Sequence, residues 1–510
     1  MVGGADLAVV VVYLLAVTWI GCRRSRQTHT AQEFMTAGGG LPGWVVGLSI
    51  VGTFVSSISF IGNPGKTFSA NWNPFVFSLS LPYAALVATL FFVPFFRECG
   101  SYSAYEHLGK RFGTWARVYA AVFNVLYHIG RIGVILFAVS VALSSLLDVP
   151  LPVLIAVLGV LVVVYTLLGG IEAVIWTDVV QSVILVGGTL VCAGLLLWKI
   201  PGGFSGFLTA ATADSGRLSL GSVQLDFSQR TFWMMLVFGF FINVQNFAAD
   251  QTYVQRYFAA RSTDAARRSV WLGAIAYLPI SAVLFFIGSA MFVYYSQTGT
   301  LPEGTASDAV LPYFIATELP TGVAGLLVAA ILAAAMSTVD SSLNSSATLL
   351  LCDVRQLIRQ YRSEEPVLPE APSAADEVAD LKFLRVATVL LGIAGIAAAM
   401  AMINSQQMLD VWWKISGTLS GGTLGLMLLA RFTRVQETLA PAMGVTSGVL
   451  VIAAVSLVPH GSALAARISG VGWLHRHFDP LMGIVLGTLC VVVVTLSVAA
   501  VRGGLRTKAA

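Results

Sequence analysis

The sequence predicts an all-α, polytopic membrane protein, and three observations lead to that class. Of 510 residues, 57% are hydrophobic and 11% are charged, less than half the roughly 25% charged content of a soluble domain. Apolar runs recur along the whole chain, each near the ~20 residues needed to cross a hydrocarbon core. Basic residues concentrate between alternate runs, as the positive-inside rule requires of a protein threaded back and forth.

The runs number about 13: 6–22, 43–62, 74–96, 116–147, 150–169, 174–199, 232–258, 265–295, 321–352, 381–403, 409–430, 439–459 and 480–502. The first, Asp6 to Cys22, precedes Arg23, Arg24 and Arg26. A cleaved signal peptide carries its positive charge before the apolar stretch, so this run reads as a retained span. An N-terminus outside puts the segments around 23–40, 97–117, 256–268, 353–385, 431–434 and 502–508 in the cytoplasm. Those segments hold 21 of the 29 Lys and Arg residues, against six in the outer segments. The expected setting is thus the inner (plasma) membrane, multi-pass, with a cytoplasmic C-terminus. The polar stretches 201–230 and 296–320 read as ordered loops or short surface helices, and Ser363 to Asp380 as a Pro-, Ala- and acid-rich linker. Thirteen spans allow two inverted five-helix repeats with one span before them and two after. The chain then divides into 1–40 (extra span and cytoplasmic loop), 41–430 (the core with both repeats) and 431–510 (two further spans and a basic tail).

Several function classes drop out. No Ser-His-Asp arrangement, H-E-x-x-H or Walker-type glycine loop occurs, so the chain does not read as an enzyme. The five cysteines, Cys22, Cys99, Cys192, Cys352 and Cys490, are scattered and form no zinc or disulfide pattern. A net charge of +4 reflects cytoplasmic loops rather than a nucleic-acid surface. Partners reduce to a small-molecule solute and the lipid bilayer, with no nucleic acid and no obligatory protein partner.

Polar residues inside spans are costly and therefore candidates for function. In the ninth run, Ser337, Asp340, Ser341 and Asn344 share one helical face at i, i+3, i+4 and i+7. Hydroxyl and carboxylate oxygens are hard ligands suited to a hard cation, and a buried carboxylate needs a cation, a proton or a partner. Ser342, Ser345 and Ser346 instead suit back-bonding and close helix packing. The second run, Ser49 to Lys66, mixes Gly, Thr and Ser with β-branched residues, and Gly62, Pro64 and Gly65 close it. Such a helix can break at mid-membrane and offer unwound carbonyls to sodium; a small-residue packing face is the competing reading. Asp178 lies about one turn into its span and demands a counter-charge, whereas Glu172 is interfacial. Arg131, in His128-Ile-Gly-Arg131-Ile-Gly133, is too deep to snorkel. Its fork suits a carboxylate, either a buried acid of the protein or a solute's.

Three segments together resemble the sodium solute symporter family: Tyr165 to Gln181, Asp250-Gln-Thr-Tyr-Val-Gln-Arg256 with Ala259-Ala-Arg261, and the Ser/Thr-rich ninth span ending in Leu343-Asn-Ser345. The resemblance covers most of residues 6–430. It implies the inverted-repeat architecture first seen in a bacterial leucine transporter. It also implies a sodium site formed by the carbonyls of Gly52, Val55 and Ala334 and the hydroxyls of Ser337 and Thr338. A second sodium site, present in part of the family, would map onto Asp178, Ser337, Asp340 and Ser341. His128-Ile-Gly-Arg131, Ser56-Ser-Ile-Ser59 and Ser103-Ala-Tyr-Glu106 are similar to the bacterial sialic acid branch. There the arginine would grip the solute carboxylate, helped by hydroxyls matching Ser56 and Ser59. The chain departs from that branch at Asp340, where the branch has serine, at Phe54, where it has threonine, and at Ser78, where it has glutamine. The resemblance therefore implies a symporter that uses one or two Na⁺ to import a carboxylate-bearing solute, sialic acid or a related organic or sugar acid. The alternatives are a symporter of a neutral solute (a sugar or proline) with Arg131 structural, and more remotely a membrane sensor.

Overall fold

A computed structural model describes residues 3–25, 30–147, 149–214, 216–362, 374–404, 408–458 and 469–502. Among them the architecture is helical throughout, with one isolated bridge between Leu41 and Ala260. The elements used below are α1 (Gly4–Ser25), α2 (Gly43–Phe54), α3 (Ser57–Ser69), α4 (Thr114–Leu147), α5 (Leu151–Lys199), α6 (Phe232–Ala249), α7 (Gln251–Ala259), α8 (Thr263–Thr298), α9 (Val323–Leu349), α10 (Ala374–Ala401), α11 (Met408–Phe432), α12 (Leu439–Ile452) and α13 (Gly483–Val501).

By length and apolarity, ten helices among the described residues can cross a membrane, or 11 counting the bent pair α2 and α3. That is fewer than the 13 runs of the sequence. Run 150–169 forms the first part of α5, which runs on to Lys199 through a non-helical Gly170 (φ 57°). A Cβ at Gly170 would meet Phe34 at 3.0 Å, so this glycine combines a positive φ with a close approach. Run 409–430 is helical as α11 but is not among the ten. The expected surface helices appear at Gly203–Ala213 and Val310–Glu318. Most of the expected linker, 363–373, and the basic tail from 503 lie outside the described residues.

Two spans are broken, where the sequence pointed to one. The ladder of α2 ends with Val55 N–H donating to Val51 O at 2.9 Å. Ser56 N–H then turns to Phe54 O, and α3 leaves at 52° to α2. Gly62, Pro64 and Gly65 do not close the span: α3 runs through Pro64 to Ser69. Gly288 explains how this stretch packs, since a Cβ there would sit 2.1 Å from Pro64 O and from Thr67 Oγ1. The second break is at Asp250, extended at φ −89°, ψ 120°, between α6 and α7. The two breaks fall in the second and seventh runs, five apart, as paired repeats require.

Burial ranks the helices. In the most apolar window of Val323–Arg359, 89% of residues are buried, against 22% for Gly4–Arg23. α9 is therefore the central helix of the bundle and α1 a peripheral one.

Candidate functional site

The break between α2 and α3 faces α9 directly. A Cβ on Gly52 would lie 2.8 Å from the hydroxyls of both Ser337 and Ser182, so only glycine lets the end of α2 approach α9 this closely. Ser337, Thr338, Asp340 and Ser341 are all fully buried. Thr338 Oγ1 donates to Ala334 O at 3.1 Å, placing two expected ligands side by side. The groups that Ala334, Ser337 and Thr338 offer are oxygens, which suit a hard monovalent cation.

The counter-charge that Asp178 demands is Arg256. Arg256 Nη2 lies 2.8 Å from Asp178 Oδ2 and 2.7 Å from Ser341 Oγ; its Nε donates to Ser49 Oγ at 2.9 Å and its Nη1 to Thr252 O at 2.8 Å. Asp178 also accepts from Ser49 on Oδ2 and from Ser337 on Oδ1, both at 2.5 Å. Two of the four residues expected at a second cation site, Asp178 and Ser341, thus converge on one guanidinium, and Ser337 joins them through Asp178. The fourth, Asp340, accepts from the N–H of Ser341 at 2.6 Å. Arg256 is fully buried on α7. It is not a cytoplasmic loop charge, as its place in the segment 256–268 suggested. A single polar run, Asp250 to Arg256, crossing an apolar stretch was the available signal for both this residue and the break.

Arg131 projects from α4 into a cavity of about 50 Å³. Phe54, Ser56, Ser59 and Ser78 line the same cavity, with Tyr253 and Trp412. All five expected solute-binding residues are therefore brought together. The Arg131 guanidinium is 94% buried (6% exposed). Its Nη2 donates to Thr53 O at 2.9 Å and its Cζ lies 5.8 Å over the Trp412 ring. Asp178 pairs with Arg256, and the acid facing Arg131 is Asp250, with Arg131 Nη1 3.8 Å from Oδ2. Phe54 leans on Phe247, Tyr253 and Tyr277, with centroids 5.5, 4.9 and 5.6 Å away. Ser78 Oγ is 2.8 Å from Ser281 Oγ, and Ser59 Oγ reaches back to Phe54 O at 3.5 Å. One wall of the cavity is thus aromatic, and part of its hydroxyl equipment is already engaged.

The first turn of α11 forms the roof. Leu409, Trp412 and Trp413 line the cavity, while Asp410 between them is held by Lys66 at 2.9 Å and Arg230 at 3.1 Å. Arg230 also reaches Asp479 at 3.7 Å. These ion pairs tie the end of α3 and the start of α6 to α11.

Known proteins resemble this chain along most of its length. The chain is 32% identical to the sodium/sialic acid symporter SiaT of Proteus mirabilis (strain HI4320), over 92% of each chain. It is 30% identical to the sodium/sialic acid symporter NanT of Aliivibrio fischeri (strain ATCC 700601 / ES114), over 86% of this chain and 85% of that protein. The structure superposes on a Na⁺-coupled sialic acid symporter solved in a substrate-bound outward-open state, with TM-score 0.86, 30% identity and 98% of each chain covered. The nucleobase-cation-symport transporter Mhp1, at 15% identity and TM-score 0.55, shares the fold. A family model matches residues 34–444. With two broken spans, an oxygen-rich cluster on α9 and a cavity beside them, this chain belongs to the sodium:solute symporter family.

Proposed function

We propose that this symporter imports a small carboxylate-bearing solute, sialic acid or a related organic or sugar acid, by alternating access driven by sodium. The observation that carries the proposal is Arg131: a buried side chain on the cavity wall whose Nη1 has no hydrogen-bond partner among the described residues. An unsatisfied buried donor costs about 1–3 kcal/mol, more when charged. An anionic solute removes that cost by accepting the bond. Ser56, Ser59 and Ser78 would contact the rest of the solute, and Phe54 would bound its size.

Sodium would be held by the carbonyls of Gly52, Val55 and Ala334 and the hydroxyls of Ser337 and Thr338, with a second ion near Asp178, Ser337, Asp340 and Ser341. Ion binding fixes the break, stabilises the outward-open state and assembles the solute site. Solute then closes the roof formed by α11, and the complex rocks inward. The paired breaks support a division into 1–40, 41–430 and 431–510, and the basic loops support an inner-membrane setting with the N-terminus outside.

The number of ions decides how steeply a solute can be accumulated. One charge crossing 100 mV is worth about 2.3 kcal/mol, and a tenfold gradient about 1.4 kcal/mol. One Na⁺ with a monoanion is electroneutral and supports about tenfold accumulation. Two Na⁺ supply about 5.1 kcal/mol net of the anion's own charge, enough for several-thousand-fold accumulation.

A second reading, a neutral solute with Arg131 structural, is favoured by Asp250 lying 3.8 Å from the guanidinium. Uptake of radiolabelled sialic acid into proteoliposomes, with sodium and then potassium outside, separates the two. Sodium-dependent uptake that Arg131→Ala reduces by 100-fold or more supports the carboxylate clamp. Uptake of a neutral sugar or proline that Arg131→Ala leaves intact refutes it.

A further inference from the structure

Beside the cavity, two charged atoms face each other with no hydrogen bond between them. Arg131 Nη1 and Asp250 Oδ2 are both buried and both unpartnered, and they stand 3.8 Å apart. A charge-assisted N–H···O bond closes to about 2.7–2.9 Å, so this pair is held open by about 1 Å. The gap is also too narrow for a bridging water, which would hold the two atoms about 4.5 Å or more apart. The other oxygen of Asp250 is fixed: Thr252 N–H donates to Oδ1 at 2.8 Å and His128 Nε2 lies 3.2 Å from it. Arg131 is fixed at its other end by Thr53 O at 2.9 Å.

We propose that Asp250 is the resting counter-ion of Arg131 and competes with the solute's carboxylate for its guanidinium. The inference rests on the carboxylate reading of the site. Two arrangements satisfy the stretched pair. A shift of about 1 Å closes Nη1 onto Asp250 when the cavity holds no anion. A solute carboxylate otherwise takes the donor, leaving Asp250 on Thr252 and His128. Asp250 does not line the cavity, so it is a positioning residue and not a solute contact. Its place adds a mechanical element. It sits at the break between α6 and α7, whereas Arg131 sits on the unbroken α4. Any movement of the seventh span against α4 changes the 3.8 Å separation and with it the competition. Closing the pair would eject the anion, which makes Asp250 a release residue as well as a neutralising one.

The test compares Asp250→Asn and Asp250→Glu in sodium-driven proteoliposome uptake, using whichever of sialate, pyruvate and benzoate the unaltered protein carries fastest. Asparagine keeps an acceptor for the Thr252 N–H but removes the competing charge. The expected result is a KM about tenfold lower with a kcat reduced by a similar factor, because release slows. Glutamate extends the carboxylate by one methylene and closes the gap, so KM should rise about tenfold. A merely structural role would move both variants in the same direction, and that outcome overturns the proposal, as does an Asn variant with unchanged KM. If Asp250→Asn does not reach the membrane, the rise in KM for Asp250→Glu decides the matter alone. If the unaltered protein carries none of the three anions, or if Arg131→Ala leaves their uptake intact, the carboxylate reading falls and takes this inference with it.

Discussion

Ser337→Ala is the substitution that most directly probes ion coupling. Its hydroxyl lies 2.5 Å from Asp178 Oδ1 and 2.8 Å from where a Cβ on Gly52 would stand, between the two proposed sodium sites. A hydrogen bond or dipole directed at a charge contributes about 1.5–3 kcal/mol. At 1.4 kcal/mol per decade, loss of the Ser337 oxygen should raise the sodium concentration for half-maximal uptake by about 10- to 150-fold. The assay is a sodium titration of solute uptake in proteoliposomes, with ²²Na binding to purified protein as an independent measure. Two neighbours on α9 provide the controls. Ser342 bonds back to Thr338 O at 2.7 Å, and the buried Ser346 hydroxyl has no hydrogen-bond partner. Alanine at either position should leave the sodium titration within about twofold, and Ser346→Ala should cost no stability because it removes an unsatisfied group. A Ser337→Ala protein that titrates like the unaltered one refutes the assignment. So does an equal shift in Ser346→Ala, which would place the effect in helix packing.

Phe54→Thr should lower thermal stability by about 1–3 kcal/mol, as contacts of the Phe54 ring with three aromatic neighbours are lost. The same change should favour sialic acid over small acids such as pyruvate, measured as a ratio of kcat/KM values; an unchanged ratio removes Phe54 from the specificity wall. Asp178→Asn leaves the fully buried Arg256 uncompensated and should destabilise the protein by about 3–5 kcal/mol, read as a fall in Tm. Adding Arg256→Met should recover much of that stability while sodium dependence stays impaired; a double variant no more stable than Asp178→Asn alone would show that the ion pair is not what Asp178 supports.

The sequence made the class legible because membrane burial is written locally: each span is an uninterrupted apolar run, and each cytoplasmic loop carries its own basic residues. Individual site residues were legible for a related reason. A serine, aspartate or arginine at mid-span stands out against its own helix, so Asp178, Arg131 and Ser337 could be singled out without knowing their neighbours. The pairings were not. Asp178 finds Arg256 78 positions away, and Arg131 faces Asp250 from a different span. No periodicity within one helix encodes such a contact. Arg256 also satisfied the charge pattern of a cytoplasmic loop, which hid its burial. The break at Asp250 was masked because Phe232 to Phe258 is apolar enough overall to read as one helix. Gly62, Pro64 and Gly65 were misleading in the opposite sense. They look like a helix terminus, yet they serve close packing: Gly65 against Asp308 and Ser307, and Pro64 against Gly288.

The five residues of the first break show why ion and solute should be coupled at all. Gly52 abuts Ser337 on α9. The carbonyl of Thr53 holds Arg131, the ring of Phe54 walls the cavity, and the side chain of Ser56 lines it. Val55, the cap between them, has the non-helical ψ of 83° that turns the chain. Five consecutive residues are thus divided between the proposed ion side and the solute side. A backbone this short has only two soft dihedrals per residue, so ordering one side restricts the other. A sodium ion that fixes the carbonyls of Gly52 and Val55 also fixes the carbonyl that aims the Arg131 guanidinium and the ring that limits what fits beside it. Coupling free energies between sites are typically 1–3 kcal/mol, and ordering two or three residues at roughly 1–2 kcal/mol each is of that size. No long relay is needed, because the ion and the solute would read opposite faces of one turn of unwound chain.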